Sequence, residues 1–322
     1  MTPRGEPSPT SGAGLTAAVA GATFAPESAS LEGVAVRRNV GLGSIVGLCA
    51  WACAAGPGAA TAPAPHAQAG ARTTVVVLED QGVLPPNGSG GFAHSCPARA
   101  PHPVGGTFGP GNGAPLAGQF LLTGSYPVGR RGWRVRLQNV TPLPQPFFAG
   151  TVCLGSPVRF AYPRTSGVAT PGADSGANVS CPRSAPRAIG GFFRTQGAGA
   201  TGRLIADSAF RTSEGWDVGV RNIGPTPQGY FAGAVCTGSM LRTATVSRVR
   251  TIPAGMGVHT TLRCPSRSPR PVSAVFAAAD AAAAGQIVAT DAFRTGARTW
   301  MTGLRNLGSA PRRGAVGVIC VR

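Results

Sequence analysis

The chain has 322 residues, with 48 Gly, 30 Pro and only 6% aromatics. That is too few large side chains for one deep core but enough for several small ones, which usually need covalent staples. It carries 29 Arg, no Lys and 11 acidic residues, a net charge of +18, so a Walker-type phosphate loop is excluded and anionic partners are favoured electrostatically.

Residues 1–35 are Gly/Ala/Ser/Pro-rich and aperiodic, and a translation start near Val36 would account for them. Arg37 and Arg38 precede an apolar run over 41–56, and a Pro/Ala segment ends in Ala67-Gln68-Ala69. That order predicts an N-terminal extension and secretory signal peptide over 1–69, cleaved after Ala69. The run is shorter than the roughly 20 residues of a transmembrane span. The paired arginines also allow a twin-arginine signal. Cys49 and Cys53 lie inside the apolar run and leave with it. The remaining chain keeps 26 Arg against 8 acids.

From residue 70 a single pattern recurs three times, over 70–155, 156–240 and 241–322. The first copy reads Cys96, Pro97, Phe108, Trp133, Asn139, Cys153; the second Cys181, Pro182, Phe193, Trp216, Asn222, Cys236; the third Cys264, Pro265, Phe276, Trp300, Asn306, Cys320. Phe always follows the first Cys by 12 residues, while Trp and Asn precede the second by 20 and 14. A register kept three times marks one structural unit. In an exported protein, six cysteines at matched spacing predict the bridges Cys96–Cys153, Cys181–Cys236 and Cys264–Cys320. Each should stabilise its unit by about 4 kcal/mol in the chain-entropy model. Zinc is disfavoured, because no C-x2-C pair exists and no His or carboxylate recurs at ligand spacing. Neither metal nor cofactor is expected.

Each copy opens with a β-rich segment, at 74–78, 158–162 and 243–249, followed by a Pro/Gly loop and a strand running into Cys-Pro. A second Pro, at Pro101, Pro186 and Pro269, predicts a turn before the Phe strand. The Trp strand alternates: Trp133, Val135, Leu137 and Asn139 share one face, while Arg134, Arg136 and Gln138 take the other. Phe108, Phe193, Phe276 and the three Trp are expected in cores. Asn139, Asn222 and Asn306 are read as amides tying down the next turn. Gly150, Gly233 and Gly317 lie three residues before the closing Cys, where close approach of a Trp ring is the expected reason. Six strands per copy and no long helix predict an all-β chain of three tandem small disulfide-stapled β-sandwich-like repeats, with one pseudo-threefold β-prism as the alternative.

The order Cys-Pro, then Gly105-Gly106-Thr107-Phe108 or Gly190-Gly191-Phe192-Phe193, then Gly-Trp-x-Val-x-x-x-Asn and an Ala/Val strand ending in Cys resembles a repeat of secreted actinobacterial proteins of unknown function. The third copy departs from it, with Val272-Ser273-Ala274-Val275-Phe276 and with Thr299 before Trp300. The resemblance implies secretion and a small β unit, and brings no catalytic residues. A further resemblance, in repeat number and Cys-Pro start, is to the three-sheet prism of vitelline membrane outer layer protein.

His94, His102 and His259 occupy unrelated repeat positions, Asp174-Ser175 and Asp207-Ser208 read as turn or strand-edge residues, and no hydrolase or zincin motif is present. The chain is therefore read as non-catalytic, a secreted or cell-wall-associated structural or binding protein. The candidate anion-binding residues are Arg130, Arg131, Arg134, Arg136, Arg248, Arg250, Arg312 and Arg313, whose forks suit carboxylate and phosphate groups. Anionic wall polymers or polysaccharide are the expected partners. Specific nucleic-acid binding is not expected, because aromatics for base stacking are scarce. The sequence leaves the oligomeric state open. The alternative is a glycan-binding or glycan-hydrolysing module using the variable loops around 109–118, 194–202 and 277–285.

Overall fold

The computed structural model of the chain describes residues 73–111, 119–197 and 203–322. The extension and signal segment, and the loop residues 112–118 and 198–202, lie outside the described residues. The first repeat forms β1 (Thr74–Leu84), β2 (Ser89–Ser95), β3 (His102–Pro110), β4 (Phe120–Val128), β5 (Gly132–Asn139) and β6 (Gln145–Gly155). The second forms β7 (Phe160–Ala161), β8 (Arg164–Ala169), β9 (Asp174–Ser180), β10 (Arg187–Thr195), β11 (Leu204–Arg211), β12 (Gly215–Asn222) and β13 (Gln228–Thr237). The third forms β14 (Thr243–Ile252), β15 (Gly257–Arg263), β16 (Arg270–Ala278), a 3-10 turn at Ala281–Ala283, β17 (Ile287–Arg294), β18 (Thr299–Asn306) and β19 (Arg312–Val321). The opening strand of the second repeat is split because Pro163 cannot donate to the ladder. Its two halves keep one register, with Ala161 opposite Cys236 and Arg164 opposite Gly233.

The chain is all-β, and its strands make three open sheets, each shared by two repeats. Strands β1, β6 and β3 of the first repeat join β17, β18 and β15 of the third. Strands β2, β5 and β4 of the first join β10, β13, β7 and β8 of the second, and β9, β12 and β11 of the second join β16, β19 and β14 of the third. Every repeat thus contributes one three-strand half to each of two sheets, a cyclic, pseudo-threefold topology. The joins are alike: Phe108 pairs with Ala292, Phe193 with Ser125 and Phe276 with Ala209. The Phe found 12 residues after each Cys therefore sits on the seam between repeats.

Within a repeat the two halves face each other in sandwich-like fashion across a Trp that is fully buried. A side chain at Gly106 would meet Val135 and Trp133, and one at Gly191 would lie 2.1 Å from the Trp216 ring. The second glycine of the Gly-Gly pair thus makes room for the ring. The first lies where β3, β10 and β16 converge. A Cβ at Gly190 would be 2.6 Å from the Val104 carbonyl oxygen, and one at Gly105 would be 3.2 Å from that of Val272. Ser273 occupies the third such position, so the convergence accommodates one side chain. Leu121, Ile205 and Val288, at matching places in β4, β11 and β17, form one buried cluster. The glycines before the closing Cys play a different part from the expected one. Gly150 is hemmed by the Leu78 carbonyl, Glu79 and Thr107, Gly233 by the Phe192 ring, and Gly317 by the Val246 carbonyl and Val275. The Trp rings lie against the opposite strand instead.

The three bridges form as the spacing predicts, with Cα–Cα distances of 5.6, 5.7 and 5.8 Å. Each first Cys follows a strand of one sheet and its partner lies in a strand of the next, so the disulfides tie all three sheets in a cycle. Asn139 is fully buried; its Nδ2 donates to the carbonyls of Pro85 (3.0 Å) and Leu143 (2.8 Å), and its Oδ1 accepts from Thr141 N (2.9 Å). Asn222 and Asn306 make matching bonds to Thr226 and Ala310 and to the backbone of Gly224 and Gly308. One amide thus satisfies the loop before the Cys-Pro strand and the turn after the Trp strand, where unpaired backbone would be costly.

Candidate functional site

The eight arginines singled out from sequence fall on two sheets. Arg134 and Arg136 lie on the outward side of β5, and Arg130 and Arg131 in the β4–β5 turn. Arg248 and Arg250 are exposed on the edge strand β14, with Arg313 exposed on the neighbouring β19. Two have structural partners: Arg131 Nε donates to the Cys96 carbonyl (3.0 Å), as Arg298 does to Cys264, and Arg312 Nε donates to Gln286 Oε1 (3.0 Å).

A concave surface site uses Arg130 and two arginines that sequence reasoning missed. On the outer face of the seven-stranded sheet, a cleft of about 440 Å³ is bounded by Tyr126, Arg130, Tyr162, Arg164, Arg194 and Phe231. Arg194 on β10 stands between rings from the flanking strands, its guanidinium carbon 4.8 Å from the Phe231 centroid and 5.9 Å from that of Tyr126. Arg164 lies 5.1 Å from the same Phe231 centroid. Such stacking holds a guanidinium in place without neutralising it. The ion pairs among the described residues include His94–Asp80, Arg221–Asp174 and His259–Asp291, and none of these involves the cleft arginines. Tyr162 donates to the Pro103 carbonyl (3.0 Å), and burial pushes its phenol well above the usual range, so it stays neutral.

The signal that locates this cleft is the difference between repeats. Arg194 follows its repeat's Phe, where the other repeats have Gly109 and Ala277. Arg164 opposes the glycine before the closing Cys; Glu79 and Ser247 hold the matching places. Phe231 matches Phe148 and Ala315, and Tyr126 matches Phe293 and Phe210.

The other two sheets carry buried carboxylates on a glycine floor. The Asp207 and Asp291 carboxylates lie over Gly219 and Gly303, three residues after their Trp, where the first repeat has Arg136. Asp207 is 7% exposed in the central strand β11, not at an edge as the sequence suggested. Burial, reinforced by Asp174, raises its carboxyl to about 7, against the opposing pull of backbone and Ser208 hydrogen bonds. Asp291 accepts from His259 Nε2 (2.8 Å) and Thr290 Oγ1 (3.0 Å), and its hydrogen bond raises the His259 pKa. Among the described residues no group of three or more His, Cys, Asp or Glu could hold a metal ion, and no helix is long and apolar enough to cross a membrane. Compared with known protein families and with characterised proteins, the chain matches none.

Proposed function

We propose that this is a secreted or cell-wall-associated, non-catalytic binding protein that presents its cationic surface to anionic polymers. The observation carrying the proposal is the cleft of Arg130, Arg164 and Arg194, three guanidinium groups without a carboxylate partner among the described residues and two of them braced on aromatic rings. The net charge of +18 draws polyanions to such a surface, and three disulfides suit an oxidising, extracellular compartment. The test is retention of the exported protein on anionic wall polymer, DNA and neutral glycan at two salt concentrations. Retention on the anionic material that falls steeply with salt is expected. Salt-independent retention on neutral glycan would favour the alternative, a glycan-binding or glycan-hydrolysing module. Arg134→Gln with Arg136→Gln should flatten the salt dependence while changing stability by no more than about 1 kcal/mol.

A further inference from the structure

We infer that the cleft between Tyr126 and Phe231 binds one acidic sugar residue per chain, with a planar carboxylate on Arg194 and Arg164 and the C–H face of the sugar on the aromatic wall. The inference rests on the anionic-polymer reading above and narrows it to a ligand class, a place and a stoichiometry. Rings on both flanking strands cover Arg194, so its in-plane N–H edges are what it offers a ligand. That fork matches a carboxylate in two parallel hydrogen bonds. Arg164 and Arg194 both lie over the Phe231 ring, at 5.1 and 4.8 Å, so one aromatic side chain positions two guanidinium groups on the cleft. Around Arg194 and Phe231 the cleft stands on the paired strands β10 and β13, whose backbone N–H groups are committed to ladders, so on that side a ligand meets side chains rather than the amide nest that commonly cradles a tetrahedral phosphate. Its 440 Å³ lies within the roughly 300–1,000 Å³ of small-molecule sites. At the equivalent places Glu79 with Gly109, and Ser247 with Ala277, supply no guanidinium, so a threefold-repeated chain should carry one site.

Titration calorimetry of the full oxidised chain tests this with trigalacturonate, its methyl ester and tripolyphosphate. Binding of one trigalacturonate per chain is expected, at least tenfold tighter than either other probe. Arg194→Gln and Arg164→Gln should each weaken it at least tenfold, whereas Arg248→Gln with Arg250→Gln should change it less than twofold. Unchanged affinity in both cleft variants, or three ligands per chain, would overturn the site. Equal binding of tripolyphosphate would overturn the carboxylate class. Loss of the site would leave the broader anionic-polymer reading resting on exposed arginines outside it, such as Arg134, Arg248, Arg250 and Arg313. That reading fails separately, and the site with it, if the unmodified chain binds no anionic probe at all.

Discussion

The outer faces of two sheets, the one joining repeats one and two and the one joining repeats one and three, use the same strand order and pairing to different ends. In the second, Gly109 separates Phe148 from Phe293, and the rings meet edge to face at 5.0 Å; a Cβ at Gly109 would lie 2.9 Å from Phe148. In the first, Arg194 fills the matching position and Tyr126 and Phe231 flank its guanidinium on either side. Glu79 borders one face and Arg164 the other. A repeat fixes the backbone and leaves its outward positions free, so changing a few residues converts a packed ring pair into a charged cleft.

The harshest way to break the comparison is to remove the shared sheets. Residues 156–240 expressed alone under oxidising conditions should give a collapsed NMR spectrum and no cooperative melt, because both three-strand halves lose the neighbours that complete their sheets. A dispersed, cooperatively melting fragment would make the repeats independent units. Next in size, Trp133→Ala should cost about 3–5 kcal/mol, as large-to-small core changes do. Denaturant unfolding should then show one transition for all three repeats, since they share a continuous core. Separate transitions would indicate that the seams contribute little.

The two carboxylate-bearing sheets differ in how they respond to pH. Asp207 has a folded pKa of about 7, above that of an unfolded aspartate, so the folded state holds the extra proton. Stability should therefore fall by a few kcal/mol as pH rises from about 4 to 7 and level off above. Asp207→Asn should flatten that slope in a pH series of denaturation curves. Part of the slope remaining should belong to His259, whose raised pKa gives stability present below about 6.5 and lost as pH rises through its folded value, alongside Asp174 and Asp217, whose carboxyls burial also raises. His259→Gln should remove that part and leave the contribution of the two aspartates. A wild-type chain with no slope between pH 4 and 7 would contradict the burial of Asp207. The mildest change, Gly109→Arg, should cost about 1–3 kcal/mol by forcing the Phe148–Phe293 pair apart, as overpacking does. A neutral result would show that this sheet can open the same cleft.

The Cys, Trp and Asn positions were legible in sequence because each answers a local demand that recurs in every copy: a covalent link, a buried ring, and an amide between two loops. The reason for the Gly-Gly pair was not, since its first glycine answers to another repeat and its second to a ring across the sandwich. Arg164 and Arg194 were hidden likewise, being 30 residues apart and isolated among uncharged neighbours, while the runs at 130–136 and 312–313 drew attention. The sequence by itself determined the all-β character, the three cross-links and the buried set, because periodicity and spacing encode what each strand must bury. Only the tertiary structure decided that the repeats interlock through shared sheets and that one face gathers arginines around Phe231. The physical reason is that strand pairing at a seam uses backbone groups every residue has, so the sequence carries no mark of which strands will be neighbours.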